Sequence, residues 1–483
     1  MINLINSIDN LIWFPIMIIL IGTGLYFTIK LNFVQLHLLP EAIRTLFNKE
    51  ENKDKSTTIN PVQAFLVGLA SRIGAGNITG VATAILVGGP GAIFWMWLVA
   101  LLVASSAFVE STLGQVYKEK EKNKGFVGGP SYYMKKGLNI PKIGVLFSVI
   151  LIGCYAYSFV TIQSNTVTSI LKSTVNNSSF MFAAVIGIIL AVLTAVILFG
   201  GAKRIVKVSA LLVPIMSVGY LILAVLIIIL NIERVPYVLN VIISQAFSAQ
   251  AVTGATIGGI ILTGARRGMF SNEAGMGSAP NAAATATTSH PVKQGLVQMF
   301  GVYIDTLVIC TATGLIILLS LSNTEFMNYS NQALNDPSFN AVVVTQASLI
   351  NSLGEWSGYL LTLFIFFFTF SSILGNYYYS ESAYEYLTAS KGINIFKISV
   401  IFFVFYGAVA NMQTLWTIAD IFMGIMAFLN LIAISFLFKI VKQVKDDYCK
   451  QKKAGKDPLF LEQNIEGLSG TIWTSEKEIF NEK

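Results

Sequence analysis

Eleven apolar stretches, each long enough to cross a bilayer as a helix, alternate with short polar segments along the chain. They run near 11–36, 61–87, 91–117, 143–171, 180–199, 205–230, 246–264, 295–320, 357–387, 395–411 and 414–438. With the N-terminus outside, the segments at 37–60, 118–142, 200–204, 265–294 and 388–397 and the tail lie on the inner side. That arrangement puts 29 of the 32 Lys and Arg residues inside, leaving Lys172 and Arg234 outside and Arg72 within the membrane. Basic residues accumulate on the cytoplasmic side of membrane proteins. The pattern therefore predicts an all-α integral membrane protein of eleven transmembrane helices, with its N-terminus outside and its C-terminus cytoplasmic.

The second stretch is interrupted at mid-depth by Ser71-Arg72-Ile73-Gly74-Ala75-Gly76-Asn77. Lipid offers no partner to a free N–H or C=O, so a break that carries two glycines and a cation predicts a polar cavity. Setting Ala64-Phe65 over Ala246-Phe247, 182 residues on, places this break over Thr253-Gly254-Ala255-Thr256-Ile257-Gly258-Gly259. That offset spans five helices, an odd number, and would invert the second half relative to the first. Paired Gly-interrupted helices in inverted halves point to a transporter site at the midplane. The bland alternative is close helix packing, which small residues also serve.

Composition agrees with a membrane protein and excludes other classes. Apolar residues make up 54% and charged residues 12%, with a mean hydropathy of +0.68, against ~25% charged in soluble domains. The net charge of +7 belongs to the inner surface and argues for no nucleic-acid partner. Three cysteines and two histidines without ligand spacing disfavour disulfide scaffolds and His/Cys metal sites. No nucleophile, cofactor or acid–base constellation is present, so the chain is not expected to be an enzyme. Asp9 without a preceding Lys or Arg, and no small-residue cleavage site, make the first stretch a membrane helix instead of a removable signal. The tail, 441–483, is too short for a domain of its own and begins as a basic segment suited to anionic lipid.

Gly74-Ala75-Gly76-Asn77-Ile78, followed by Gly88-Gly89-Pro90-Gly91-Ala92-Ile93-Phe94-Trp95-Met96-Trp97, resembles the alanine/glycine:cation (sodium) symporters, members of the amino acid-polyamine-organocation superfamily. Gly128-Gly129-Pro130, Phe270-Ser271-Asn272-Glu273-Ala274-Gly275-Met276-Gly277-Ser278-Ala279-Pro280, His290-Pro291-Val292-Lys293-Gln294-Gly295-Leu296 and Asp305-Thr306 extend the likeness. The resemblance implies a leucine-transporter-type fold: an extra N-terminal helix and inner loop (1–59), a first five-helix repeat (60–236), an inverted second repeat (237–440) and a cytoplasmic tail (441–483). It also implies sodium-coupled import of a small neutral amino acid (alanine, glycine, serine or glutamine) by alternating access across a prokaryotic cell membrane. The partners are then that amino acid, the sodium ion and the lipid bilayer.

A zwitterion needs donors for its carboxylate and acceptors for its ammonium. Unwound backbone at Gly74, Ala75, Gly76 and Asn77 offers N–H groups at a half-helix start, where the dipole favours an anion. Thr253, Gly254 and Thr256 are the matching candidates in the second half. Gln163, in Thr161-Ile162-Gln163-Ser164-Asn165, is an amide at membrane depth that either contacts substrate or bonds a neighbouring helix. For sodium, the resemblance implies the hydroxyls of Ser371 and Ser372 with the carbonyls of Ala70, Ile73 and Phe368; back-bonding within their own helix is the alternative for the serines.

Two positions depart from the family pattern. Ala75 stands where Thr or Ser is common, and Asn376 where Trp often follows Gly375. The second change predicts a roomier, more polar side-chain pocket. Arg72 and Asp305 are read as a structural pair or a gate, and Glu110 and Glu381 as interfacial carboxylates near cytoplasmic helix ends. Ser271 to Gly277 is expected to be an inner-side turn. A proton-coupled carrier with Asp305 as relay, and a transport-inactive membrane sensor with the same fold, are the alternative functions.

Overall fold

A chain in lipid must close its backbone hydrogen bonds within each span, and the computed structural model does so with helices almost throughout. It describes residues 2–47, 59–121, 125–248, 256–336 and 338–475. The principal helices are α1 (Ile2–Lys30), α2 (Pro61–Arg72), α3 (Val81–Gly88), α4 (Gly91–Val116), α5 (Pro141–Val175), α6 (Phe180–Leu198) and α7 (Ala202–Leu230). They continue with α8 (Ile257–Asn272), α9 (Ala279–Thr285), α10 (Pro291–Ser320), α11 (Glu355–Thr388), α12 (Ile393–Val409), α13 (Met412–Phe436) and α14 (Phe438–Lys453). Both α5 and α10 contain a π-helical segment, Ile152–Phe159 and Tyr303–Cys310.

Among the described residues, eight helices are long and apolar enough to span alone (α1, α4, α5, α6, α7, α10, α11 and α13), and α2 with α3 forms one further span bent by 48°. The 17-residue α12 is apolar but shorter. The expected count of eleven is thus not reached by length and apolarity alone. The apolar window at 246–264 is displaced: the helix there is α8, which starts at Ile257 and runs to Asn272. The segment 265–294, expected as an inner loop, is helical at both ends and almost wholly buried. Arg266 and Arg267 accordingly sit inside α8 and do not belong to a cytoplasmic loop.

Side-chain exposure marks the lipid boundary. On α7, Leu211, Ile215, Val218, Ile222, Val225 and Ile229 are exposed, while Val213, Met216, Tyr220, Leu223, Ala224 and Ile227 are buried. Spacings of three and four put the first set on one face. An apolar face of that extent matches lipid, not water. On α6, Val185, Ile188, Ile189, Val192 and Val196 form the same kind of stripe.

Local signals explain the element that matters most. Asn60 Oδ1 accepts the Gln63 N–H at 2.7 Å, Gln63 Oε1 accepts the Asn60 N–H at 3.1 Å, and Pro61 occupies the first helical position of α2. That capping box starts the helix without orphan donors. Outside the membrane, helix Asn323–Asn335 has a similar cap: the Ser322 N–H and hydroxyl donate to Glu325 and hold its carboxyl below the usual range.

The tail folds back on the inner surface. The Phe460 N–H donates to Ser289 O at 2.9 Å, Trp473 Nε1 donates to Gln115 O at 3.0 Å, and both aromatic side chains are fully buried. Lys118 Nζ sits 4.7 Å from the Trp473 ring centroid and donates to Ala286 O at 2.9 Å. Trp473→Ala should release this strap, at a local cost of ~3–5 kcal/mol. Hydrogen exchange would then rise at the amides of Phe460 and Glu462 and stay unchanged in the spans. Unchanged protection of those two amides would count against Trp473 as the anchor.

Candidate functional site

The helix α2 stops at Arg72 because Ile73 turns extended (φ −80°, ψ 91°), and the chain resumes through a π-turn, Gly76–Gly80, into α3. The freed backbone groups find side-chain partners. The Gly74 N–H donates to Asn77 Oδ1 at 2.9 Å and the Ala75 N–H to Gln163 Oε1 at 2.8 Å. Gly74, Ala75, Gly76, Asn77 and Gln163, all expected at a binding site, are buried together. Gln163 serves the broken backbone, an amide role between the two alternatives read from sequence.

The carbonyl side of the break faces α11. Ser372 Oγ lies 2.9 Å from Ala70 O, 3.0 Å from Ser71 O and 3.3 Å from Ile73 O. A hydroxyl has one proton to share among three acceptors. The cluster is therefore rich in oxygen lone pairs and fits a hard cation. Ser371 Oγ instead donates to Phe368 O at 3.0 Å, the back-bonded arrangement of its own helix. Ser372 thus meets Ala70 and Ile73 where α2 crosses α11, while Ser371 faces Met216 of α7 and bonds Phe368 within its own helix. No side chain at Gly74 would be tolerated, since a Cβ there would strike Ser372 Oγ and come within 2.9 Å of Gln163 Oε1.

The described part of the expected second break, Thr256–Gly259, is the start of α8. Thr253 and Gly254 lie outside the described residues, and Thr256 is an exposed N-cap whose hydroxyl accepts the Gly259 N–H at 3.1 Å. It starts α8 at the opposite end from the break. The interruption falls instead between α8 and α9, where Glu273 (φ 58°), Gly275 (φ 84°) and Gly277 (φ 80°) adopt left-handed backbone. The stretch from Ser271 to Gly277, expected as an inner turn, is this break.

Glu110 explains how that loop survives burial. Fully buried on α4, it accepts the N–H groups of Gly275 (3.2 Å) and Gly277 (3.0 Å) and the Asn430 amide (2.7 Å). The interfacial reading of Glu110 is corrected, because orphan loop amides in a low-dielectric interior need an acceptor there. Glu381 is likewise buried, at 8% exposure. Arg72 and Asp305 do not pair: Arg72 Nη1 donates to Gln298 O at 3.0 Å. Asp305 accepts from Asn77 Nδ2 (2.6 Å), Ser271 Oγ (2.9 Å) and Thr306 Oγ1 (2.9 Å).

Between the breaks lies a polar cluster that sequence reasoning only partly anticipated. The Ser71 hydroxyl is 2.6 Å from Glu273 Oε1 and 2.8 Å from Asn376 Oδ1, and Ser278 Oγ donates to Glu273 Oε2 at 3.0 Å. Asn376 Nδ2 is buried with no hydrogen-bond partner. On the outer side the cluster is sealed by rings: Phe159 and Phe270 centroids are 4.5 Å apart, as are Phe270 and Trp416. Arg267, paired with Asp420, lies 4.3 Å from the Trp416 centroid. On the inner side, Thr287 N–H donates to Ile59 O at 3.0 Å, tying the start of α2 to the end of α9. The missed residues Glu273, Phe270 and Arg267 sit in a Gly-containing polar run whose likeness to the first break was available in Asn272-Glu273-Ala274-Gly275.

Known proteins place this arrangement. The family model described as the sodium:alanine symporter family matches residues 1–462. The amino-acid carrier protein AlsT of Bacillus subtilis (strain 168) is 45% identical over 478 residues, covering 99% of this chain and 98% of that protein. The probable sodium/glutamine symporter GlnT of the same organism is 44% identical over 470 residues, covering 97% and 95%. In fold, the chain is similar to the crystal structure of MhsT in complex with L-phenylalanine, with a TM-score of 0.57 at 14% identity, covering 83% of this chain and 93% of that one.

Glu110→Leu should leave the Gly275 and Gly277 amides and the Asn430 side chain unpaired. The expected loss is ~2–4 kcal/mol, read as a lower melting midpoint in detergent. An unchanged midpoint would mean that the loop does not depend on this carboxylate.

Proposed function

The chain belongs to the sodium:alanine symporter family, and from that footing we propose how its two broken helices carry out transport. It is a sodium-coupled amino acid symporter of leucine-transporter-type fold and a multi-pass protein of a prokaryotic cell membrane. In our reading it moves its substrate without making or breaking covalent bonds. α2 to α7 (within 60–236) and α8 to α13 (within 237–440) are its two inverted halves, each opened by an interrupted helix.

The observation that carries the mechanism is the convergence of three carbonyls of α2 on Ser372. Sodium seats among Ala70 O, Ile73 O, Phe368 O and the hydroxyls of Ser371 and Ser372, bridging the broken helix to α11. The substrate carboxylate takes the Gly74 to Asn77 backbone, where Gln163 and Asn77 now hold two of the N–H groups. A cation that fastens α2 to α11 favours the arrangement in which these amides are positioned, which makes binding of the two solutes mutually dependent. Asp305 accepts hydrogen bonds from three side chains and in this reading holds Asn77 and Ser271 of the two breaks together.

The side-chain pocket lies beside Ser71, Glu273 and Asn376. A buried amide with an available N–H favours a substrate that brings its own acceptor, such as glutamine or serine, over alanine and glycine. The name of the relative GlnT is in line with this choice.

Uptake of radiolabelled alanine, glycine, serine and glutamine into proteoliposomes tests the coupling. An inward sodium gradient should drive accumulation, and Ser372→Ala should raise the sodium concentration for half-maximal uptake about tenfold, ~1.4 kcal/mol. Uptake indifferent to sodium would overturn the coupling, and no uptake of any of the four would favour a sensor. Asn376→Trp should shift preference toward alanine and lower glutamine uptake at least roughly tenfold, the loss of one buried hydrogen bond and of room. Equal preference in both proteins would refute the pocket assignment.

A further inference from the structure

Beside the inner end of α1, α14 borders an open cavity of about 580 Å³ that plays no part in the transport site. Asn32 and His37 form one wall; Lys445, Asp446, Cys449, Lys450 and Lys453 form the other. Positions 445, 446, 449, 450 and 453 are spaced to share a face of α14. Three lysines against one aspartate leave this wall with a surplus of two positive charges. Lys445 is nine-tenths buried, and its ammonium meets Asp446 at 3.3 Å, while Lys450 and Lys453 remain exposed.

The cavity sits at membrane level. Asn32 is two residues beyond the end of α1, and α14 begins two residues after α13 ends, with Phe438 stacked on Phe27 at 5.0 Å. The chain reverses there through left-handed Asn32 and Phe33 (φ 55° and 54°). Next to Asn32 and His37 in the chain, Phe33 and Leu36 are 52% and 57% exposed. A concave basic surface bordered by unpartnered apolar side chains at an inner membrane boundary matches an anion that carries hydrocarbon. A soluble anion would gain nothing from the apolar rim.

We propose that this cavity is a binding site for the headgroup of an anionic phospholipid of the inner leaflet, of the phosphatidylglycerol or cardiolipin class. Lys450 and Lys453 pair with the phosphate, Lys445 forms part of the basic wall, and Phe33 and Leu36 contact the acyl chains. Basic residues at such a boundary attract anionic lipid within a Debye length of the surface. The site lies on the face opposite the outer seal and is independent of which amino acid is carried.

Native mass spectrometry of the full-length protein in detergent, titrated with phosphatidylglycerol or phosphatidylcholine, tests this. The native chain should retain phosphatidylglycerol at concentrations about tenfold below those needed for phosphatidylcholine. Lys450→Gln with Lys453→Gln should abolish that preference. Both side chains are exposed, so the melting midpoint should be unchanged; either single substitution should weaken the preference in the same direction. Lys203→Gln with Lys207→Gln, at the inner end of α7, should leave it intact. Equal retention of the two lipids by the native chain would overturn the proposal, as would an unaltered preference in the Lys450/Lys453 variant or an equal loss in the α7 variant. Displacement of the lipid by millimolar inorganic phosphate would also overturn it, by assigning the cavity to a soluble anion.

Discussion

Two interruptions of helix inside a low-dielectric interior impose the constraint from which the rest of the structure follows. Each interruption frees N–H and C=O groups that lipid cannot satisfy, and each buried unpaired group costs several kcal/mol. The first break uses Asn77 and Gln163 for its amides and Ser372 for its carbonyls. The second uses Glu110 and Asn430, which hold the amides of Gly275 and Gly277 and the Gly275 carbonyl. These polar side chains come from four other helices, α4, α5, α11 and α13, apart from Asn77. The breaks thereby organise most of the bundle around themselves.

The same economy supports the proposed placement of the transport site at the breaks. Backbone that is already freed from a helix can exchange a side-chain partner for a solute at low cost, because the alternative partners remain within reach. Ser372 shares one proton among three carbonyls, so a cation at that position meets lone pairs that the protein alone leaves under-used. Phe159, Phe270 and Trp416 close the outer side with ring contacts, and the backbone bond from Thr287 to Ile59 closes the inner side.

The strap formed by the tail rests on the inner closure. Trp473 and Phe460 bury against Gln115 and Ser289, and Lys118 joins the strap to the end of α9 through Ala286. A basic tail segment was visible in sequence; that Phe460 and Trp473 return to the bundle was not, because isolated aromatics in a polar run carry no periodicity.

Much was determined by the sequence alone. Apolar stretches of spanning length, the distribution of Lys and Arg, and Gly-Ala-Gly inside a span follow from the chemistry of lipid and need no partner to be read. The first break was accessible for the same reason, and the family resemblance pointed to Ser372 beside it. Thr256–Gly259 and Ser271–Gly277 are both small and polar, and only tertiary contact tells the helix start at the first from the interruption at the second. Glu110 likewise reads as interfacial from its position, and only the approach of the Gly275 and Gly277 amides makes it a buried cap. Arg72 and Asp305 read as a structural pair or a gate; they do not pair, and each is held by nearer neutral groups. Sequence records which residues tolerate lipid. Which buried polar group meets which depends on packing across helices hundreds of residues apart, and that was decided by the tertiary structure.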